Sequence, residues 1–209
     1  MKHFTFDEMR SITPEAAANE IQNGWLIQYR GAAGIVSNAI RWASSGQPHT
    51  HSALAHVFEN GKKNVNVLEM REFRGGRSLP FEYHVEKFGG RMDVFSINKD
   101  RFPEYDANGT IEVMRDLVTR GYGYDNVAAL ALRHLPFIWR FFPVDITDVL
   151  NPNELKNVRP FCSHAIAFAM QLGGNVDPVL RLPAYLVEPS HLTNSHCFNY
   201  EFTVQKKRK

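Results

Sequence analysis

Three residues that could form a cysteine-nucleophile site lie far apart in the chain. Cys162 begins a run of apolar residues, 162–170, with the pattern of a helix. His51 lies in residues 50–57, which are typical of a strand, and Glu69 lies in the next predicted strand, residues 65–70. A thiol, a histidine base and a carboxylate that orients the base are the parts of a thiol nucleophile site. The sequence therefore predicts a thiol hydrolase or an acyl transferase.

The position of Cys162 at a helix start favours this chemistry. A cysteine attacks as its thiolate, and the helix dipole and free N–H groups of a first turn stabilise negative charge there. The N–H of Cys162 itself is expected to help hold the oxyanion of a tetrahedral intermediate. His51 would take the thiol proton and pass one to the leaving group, while Glu69 would accept a hydrogen bond from its other ring nitrogen. No cofactor is expected.

Each of the three residues also has a structural explanation. A cysteine in an apolar helix often packs in the core, and a glutamate in a strand can be a charge that protects a sheet edge. The chain has nine histidines, so some fall near strands by chance. The prediction depends on the conjunction of the three in this order.

Metal and nucleotide sites have weaker support. His49 and His51 alternate along the chain and could face one side of a strand, with His164 and His196 as further ligands. The sequence contains no HExxH motif and no paired CxxC motif, so no metal site is predicted. It also contains no GxxxxGK[ST] loop, which argues against nucleotide binding.

Composition indicates an ordinary globular chain. The 209 residues are 44% hydrophobic and 22% charged, and this length is enough for one sizeable core. Together with the helices and strands predicted below, it indicates one α+β domain. A net charge of +2 argues against a dedicated nucleic-acid binder, and the basic residues 206–209 are interpreted as a solvated tail. The two cysteines form no disulfide framework, although a single bridge between Cys162 and Cys197 stays open.

The sequence also bears on the compartment. Its start lacks the apolar run of a signal peptide, and no stretch is long and apolar enough to be predicted as a membrane span. The expectation is a cytoplasmic, reducing compartment. Export by another route, or a place in a virus particle, stays open.

Local signals predict the elements that would position the site. Thr13 and Pro14 favour a helix start and Gly24 its stop, while Asn60-Gly61 favours a hairpin between two strands. Gly75-Gly76 is predicted to end that hairpin unit. The predicted helices are 13–24, 35–43, 110–120, 126–134 and one from 162 to the glycines at 173 and 174. The predicted strands are 25–30, 52–58, 65–71, 91–97 and 198–204, with a loop and a short turn over 184–193.

The order of these segments resembles a known family. Residues 38–42 followed by 50–54 look like its helix, loop and histidine strand, and residues 67–70 like its next strand. Residues 121–125 look like its glycine-to-Tyr-Asp segment, residues 161–166 like its nucleophile helix, and residues 186–190 like its closing proline turn. The chain thus resembles the circularly permuted branch of NlpC-type papain-like enzymes, the YiiX/YebB-like group, which is related to the lecithin:retinol acyltransferase-like proteins.

This resemblance implies a fold and a mechanism. The fold would be a papain-like α+β arrangement, with a small antiparallel sheet packed against the nucleophile helix. Cys162 would be the nucleophile, His51 the base and Glu69 the orienting residue. Tyr124 and Ser163 would contribute to the oxyanion or substrate site. The implied substrates are amide bonds in peptides or peptidoglycan fragments, or acyl esters and thioesters.

Three features depart from the family or add to it. The first strand has Gly24-Trp25-Leu26 where Gly-Asp is common, and His164 replaces an acidic residue after Cys-Ser. Residues 135–160 are rich in proline and aromatic residues and look like an insertion. They are interpreted either as core packing or as a lid, lipid-facing patch or partner surface that includes Trp139 and Phe142.

Two other functions therefore stay open beside amide hydrolysis. One is a lipid acyl hydrolase or acyltransferase that uses the same cysteine and touches a membrane surface. The other is a catalytically silent papain-like scaffold, for example a component of a virus particle.

Overall fold

A seven-stranded sheet carries the candidate residues. The computed structural model describes residues 10–31, 48–72, 74–121, 123 and 159–205. The strand order is β1-β7-β6-β2-β3-β4-β5, and all neighbours are antiparallel except β1 and β7. The strands are β1 Ser11–Ile12, β2 Leu26–Arg30, β3 His49–Glu59, β4 Lys63–Arg71, β5 Gly75–Pro80, β6 Arg91–Ile97 and β7 Phe198–Gln205.

Helices cover both faces of this sheet. Within the described ranges they are α1 Pro14–Glu20, α2 Phe81–Lys87, α3 Ala107–Leu117, α4 Cys162–Leu172 and α5 Pro189–Thr193, with a 3₁₀ turn at Ala184–Leu186. One face packs against α3, α4 and the segment 184–193, and the other packs against α1 and α2. The predicted α+β class is confirmed.

The sheet is larger than the small antiparallel sheet that the resemblance implies. Sequence patterns indicate neither β1 nor β5, because β1 has only two residues and β5 begins with two glycines. These two strands add one member to each edge of the sheet. Gly75-Gly76 was therefore wrongly predicted to end the hairpin unit. The pair opens β5 instead. A Cβ built on Gly76 would lie 2.1 Å from the carbonyl oxygen of Val118, which follows α3, so this position of the strand has no room for a side chain.

Helix α4 is the buried core of one layer. Its residues from Cys162 to Met170 are all buried, and the alanines at 165, 167 and 169 let it lie close to its neighbours. A Cβ built on Gly173 would lie 2.1 Å from the carbonyl oxygen of Gly109, and one built on Gly109 would lie 2.2 Å from that of Gly173. Only glycine at both positions permits the close approach of α3 to the C-terminal end of α4. This contact helps to fix where α4 lies, and therefore where Cys162 lies.

The β3–β4 hairpin forms as predicted, but the two strands stay paired over only part of their length. Gly61 takes a φ of 71° in the turn, a conformation that glycine adopts at no steric cost. Pairing runs from Glu59 opposite Lys63 to Ala53 opposite Glu69 and ends there. Beyond that point β2 is the only described strand that pairs with β3, while β4 continues to pair with β5. A gap therefore opens between β3 and β4 next to Glu69.

The other predictions can be compared directly with these elements. The helix at 13–24 ends earlier, at Glu20, and its start is capped by Thr13 as expected, with the Ala16 N–H donating to Thr13 Oγ1 at 3.3 Å. The strand at 91–97 is confirmed in full as β6. Helix α2 was missed, and a short helix stands where only a turn was predicted at 184–193. The helices predicted at 35–43 and 126–134 lie outside the described residues.

Candidate cysteine site

The three candidate side chains meet at the gap between β3 and β4. His51 Nε2 lies 2.6 Å from Glu69 Oε2, and the imidazole also hydrogen-bonds the thiol of Cys162. Because Nε2 is taken by the carboxylate, Nδ1 is the ring nitrogen left for the sulfur. Glu69 is fully buried, and its register partner in β3 is Ala53, so His51 reaches it diagonally across the pair.

The gap explains how a helix on one face meets a histidine on the other. Alternation places His51 with Ala53 on the face covered by α1 and α2, whereas Cys162 begins a helix on the opposite face. Because β4 no longer pairs with β3 at Ser52, the Ser52 N–H is free to bond the sulfur instead of the neighbouring strand. The sulfur thus lies where the two strands separate.

The start of α4 supplies a second backbone donor. Its N-cap residue, Phe161, makes no side-chain capping bond, so the N-cap does not compete for the first-turn N–H groups. The Ser163 N–H bonds the Cys162 sulfur. The sulfur therefore accepts hydrogen bonds from two backbone N–H groups and faces an imidazole, as a thiolate requires.

These contacts shift both ionisations toward an ion pair. Burial acts to raise the pKa of the Cys162 thiol, but the hydrogen bond and charge of His51 and the two N–H groups outweigh it, so the pKa is lowered. Burial acts to lower the pKa of His51, but the hydrogen bonds to Cys162 and Glu69 and their charges raise it to about 9. Both shifts favour the ion pair of thiolate and imidazolium over the neutral thiol and imidazole.

Glu69 is held in its ionised form by His51 and by basic groups on its far side. Arg77 Nε lies 2.6 Å from Glu69 Oε1, and a second nitrogen of the same guanidinium also contacts this oxygen. Burial acts to raise the pKa of the Glu69 carboxyl, but His51, followed by His84 and Arg77, lowers it well below its ordinary value. The carboxylate can therefore accept from His51 throughout the neutral range.

A tyrosine and a second histidine lie behind the site. The Tyr29 ring packs on the His51 ring with 5.1 Å between centroids, and its hydroxyl lies 2.9 Å from His84 Nδ1. Among the described residues His84 Nε2 has no hydrogen-bond partner, and it lies 4.0 Å from Glu69 Oε1. Burial, together with the charges of Arg77 and His51, lowers the pKa of His84 to about 4 despite Glu69, so this imidazole is neutral at pH 7.

His49 belongs to a separate network, which corrects the expectation that it shares a face with His51. The β2–β3 register shifts between Tyr29 and Arg30, which adds one residue to β3 and turns His49 to the α4 side. There His49 Nε2 lies 2.6 Å from Asp93 Oδ2, and its Nδ1 lies 3.1 Å from Thr193 Oγ1. The two histidines therefore serve different carboxylates. Within the described ranges no cluster of three or more His, Cys, Asp or Glu side chains could hold a metal ion.

The remaining predicted site residues have mixed outcomes. The Ser163 hydroxyl donates to the Val187 carbonyl at 2.6 Å, so only its backbone N–H serves the sulfur. His164 is buried between the rings of Phe161 and Phe168, and no described residue hydrogen-bonds its Nδ1. Several predicted features lie outside the described residues. They are Tyr124, Trp139, Phe142, the tail at 206–209 and the predicted insertion at 135–160, of which only Arg159 and Pro160 are described. The two cysteines are both free thiols, so the open bridge does not form.

The site is closed around its reactive atom. Cys162 is 1% exposed and His51 is 8% exposed. A substrate must therefore displace neighbouring atoms before its carbonyl carbon can reach the sulfur. None of the described helices is both long enough and apolar enough to cross a bilayer.

No protein-family model matches the chain, and no curated protein matches it either.

Sequence reasoning missed the residues that surround the three candidates. Arg77 lies on β5, whose sequence, Gly-Gly-Arg-Ser-Leu-Pro, carries no strand pattern. His84 lies on the missed helix α2. Tyr29 lies on a predicted strand, so sequence reasoning could have found it. Pairing of that strand with β3 in the observed register places Tyr29 opposite His51.

Proposed function

We propose that this chain is a cysteine hydrolase that cleaves an amide bond through a thioester intermediate. The single observation that carries the proposal is the convergence of the Cys162 thiol, the His51 imidazole and the Glu69 carboxylate, with the thiol pKa lowered. The resemblance to permuted NlpC-type enzymes suggests a peptide or a peptidoglycan fragment as substrate. The first half of the reaction is acylation of the sulfur.

In acylation the Cys162 thiolate attacks the carbonyl carbon, and the C=O electron pair moves to the oxygen. N–H groups at the start of α4 are the natural donors to this oxyanion. As the tetrahedral intermediate collapses, the His51 imidazolium gives its proton to the leaving nitrogen, the C–N bond breaks and an amine departs. A thioester on Cys162 and a neutral His51 are left.

In deacylation, neutral His51 takes a proton from water as the oxygen attacks the thioester carbon. The C–S bond then breaks and releases the acid, and the thiolate and imidazolium are restored. Glu69 accepts from His51 Nε2 throughout and stabilises the imidazolium.

The pKa of His51 favours an amide over an activated ester. An amine is a poor leaving group unless it is protonated, so acylation by an amide needs an acid beside the scissile nitrogen. Because the pKa of His51 is raised to about 9, the imidazolium persists at neutral pH and can supply that proton.

The proposal is tested with a generic acyl donor and then with amides. p-Nitrophenyl acetate should acetylate Cys162, detected by intact-protein and peptide mass spectrometry, and the acetyl group should then hydrolyse. Peptides and peptidoglycan digests are next screened for new amines. Cys162→Ala should lower turnover by at least about a thousandfold, whereas Cys197→Ala should retain it.

Two other outcomes would replace the proposal. Release of acyl chains from lipid vesicles, with peptides and peptidoglycan left intact, would favour the lipid acyl hydrolase. Absence of acylation at Cys162 with every donor, together with no labelling by a thiol probe, would leave a catalytically silent scaffold.

A further inference from the structure

Arg77 makes the closest contact to Glu69 from the side opposite His51. It lies directly across the β4–β5 ladder from Glu69, so the two side chains project from paired positions. Two guanidinium nitrogens contact Glu69 Oε1, while Oε2 is taken by His51. The Arg77 side chain is 15% exposed and the Glu69 side chain is fully buried.

We infer that Arg77 is a positioning residue of the site: by holding Oε1, it fixes Glu69 with Oε2 aimed at the His51 imidazole. This inference rests on the proposed function, because it assigns Arg77 a role in the same reaction. It goes beyond the three residues that carry the chemistry.

The neighbouring groups do not provide an equivalent hold. Arg71 Nη1 lies 3.9 Å from Glu69 Oε2, too far for a hydrogen bond, and its side chain is 34% exposed. His84 Nε2 lies 4.0 Å from Oε1, and its other nitrogen is engaged by Tyr29. Without Arg77, Oε1 would be left buried with no described donor in reach, which is costly for a carboxylate. The carboxylate would then gain by turning toward His84 or toward solvent and away from His51.

Polar and charged groups that affect the pKa of His51 lie on each side of its ring. Glu69 and Cys162 bond its two nitrogens, and Tyr29 covers its ring. The positive charges of Arg77 and Arg71, and any charge on His84, lie beyond Glu69.

A charge effect of Arg77 and a positioning effect of Arg77 predict opposite changes in the pKa of His51 when Arg77 is replaced. Removal of a nearby positive charge, with the geometry unchanged, favours the imidazolium and would raise the pKa of His51. Loss of the contact that holds Glu69 weakens the His51–Glu69 hydrogen bond and would lower the pKa of His51. The sign of the change therefore separates a positioning residue from a distant charge, and a purely structural role would move the melting temperature alone.

The experiment measures the His51 titration by NMR of the imidazole ring in the full chain, with His51→Asn used to assign the signal. In Arg77→Gln we expect the pKa of His51 to fall by about one unit, a tenfold loss of imidazolium preference. Arg77→Lys keeps the charge but loses the two-nitrogen contact, and a smaller fall is expected. Arg71→Gln is the matched control, with no fall.

A rise in the His51 pKa in Arg77→Gln would overturn the inference, as would an unchanged value. If Arg77→Gln does not fold, Arg77→Lys decides, because a charge-only role predicts a wild-type titration for that variant. Failure of the proposed function is seen separately, in the parent protein, as a Cys162 thiol that no acyl donor modifies. Failure of this inference leaves the parent reactive and the titration of the Arg77 variants unmoved or raised.

Discussion

The two cysteines of this chain have the same burial and opposite chemistry. Cys162 and Cys197 are each 1% exposed, and both belong to the hydrophobic cluster on the α4 side of the sheet. At Cys197, burial and the negative charges of Asp177 and Glu104 raise the thiol pKa to about 12. At Cys162 the same burial is outweighed by an imidazole and two N–H donors, and the pKa falls. Hydrogen-bond partners, and not exposure, separate the two thiols.

Two buried histidines also differ in pKa because of their partners. His164 lies two residues after Cys162 in the same helix, and burial alone lowers its pKa to about 3. His51 is also buried, but its two polar partners raise its pKa to about 9. The core around α4 thus keeps His164 neutral, whereas the gap between β3 and β4 favours a pair of charges.

The largest expected effect is the difference in reactivity between the two thiols. At pH 7 a pKa of about 12 leaves roughly 10⁻⁵ of Cys197 as thiolate. Iodoacetamide under native conditions should therefore alkylate Cys162 at least about a thousandfold faster than Cys197. Time-resolved peptide mass spectrometry measures both rates in one sample. Similar rates would contradict this account. They would show that solvent access, which is equal at the two thiols, controls their reactivity and that their hydrogen-bond partners do not.

The next effect isolates the histidine partner. His51→Asn removes the cation that stabilises the sulfur, so alkylation of Cys162 at pH 6 should slow by about a hundredfold. The matched control is His56→Asn, which alters a partly buried histidine farther along the same strand. Its rate should stay within about twofold of the parent. Equal slowing in both variants would indicate disruption of β3 and not loss of a charge partner.

The smallest effect concerns stability and sharpens the contrast between the histidines. Because the folded-state pKa of His164 is lowered to about 3 and that of His84 to about 4, the unfolded chain binds more protons than the folded one between those values and about 6.5. The free energy of unfolding should therefore fall as the pH drops from 6.5 toward 4, with up to about 1.4 kcal/mol per pH unit from each histidine.

His164→Leu should remove one of these contributions, so its urea-unfolding free energy should change less steeply over pH 4.5–6.5 than that of the parent. His196→Leu replaces an exposed histidine and is the matched control. A slope for His164→Leu equal to that of the parent would mean that the α4 core takes up a proton without cost.

Local sequence signals predicted the elements that hold the three candidate residues. The apolar run after Cys162 and the stop at Gly173 located α4, and Asn60-Gly61 located the hairpin that joins the strands of His51 and Glu69. These signals act within a few residues of one another, so they can be recognised without knowledge of the fold.

The surroundings of the site were not predictable, since they depend on contacts between distant segments. The β-bulge that turns His49 away from His51 is a register shift between β2 and β3, and no local pattern marks it. Arg77 meets Glu69 only because a glycine-rich segment becomes β5, which depends on pairing with β4 and on the close approach of Val118. The end of β3–β4 pairing at Ala53 is likewise a matter of strand register that no local pattern marks.

The central claim is that Cys162 is held as a thiolate, and its pKa tests this most directly. The rate of Cys162 alkylation is measured against pH in a Cys197→Ala variant, so that one thiol reports alone. We predict an inflection well below the free-cysteine value of about 8.5, with reaction already fast at pH 6. An inflection at or above about 8.5 would contradict the account, because it would mean that burial outweighs His51 and the two N–H donors at Cys162 as it does at Cys197.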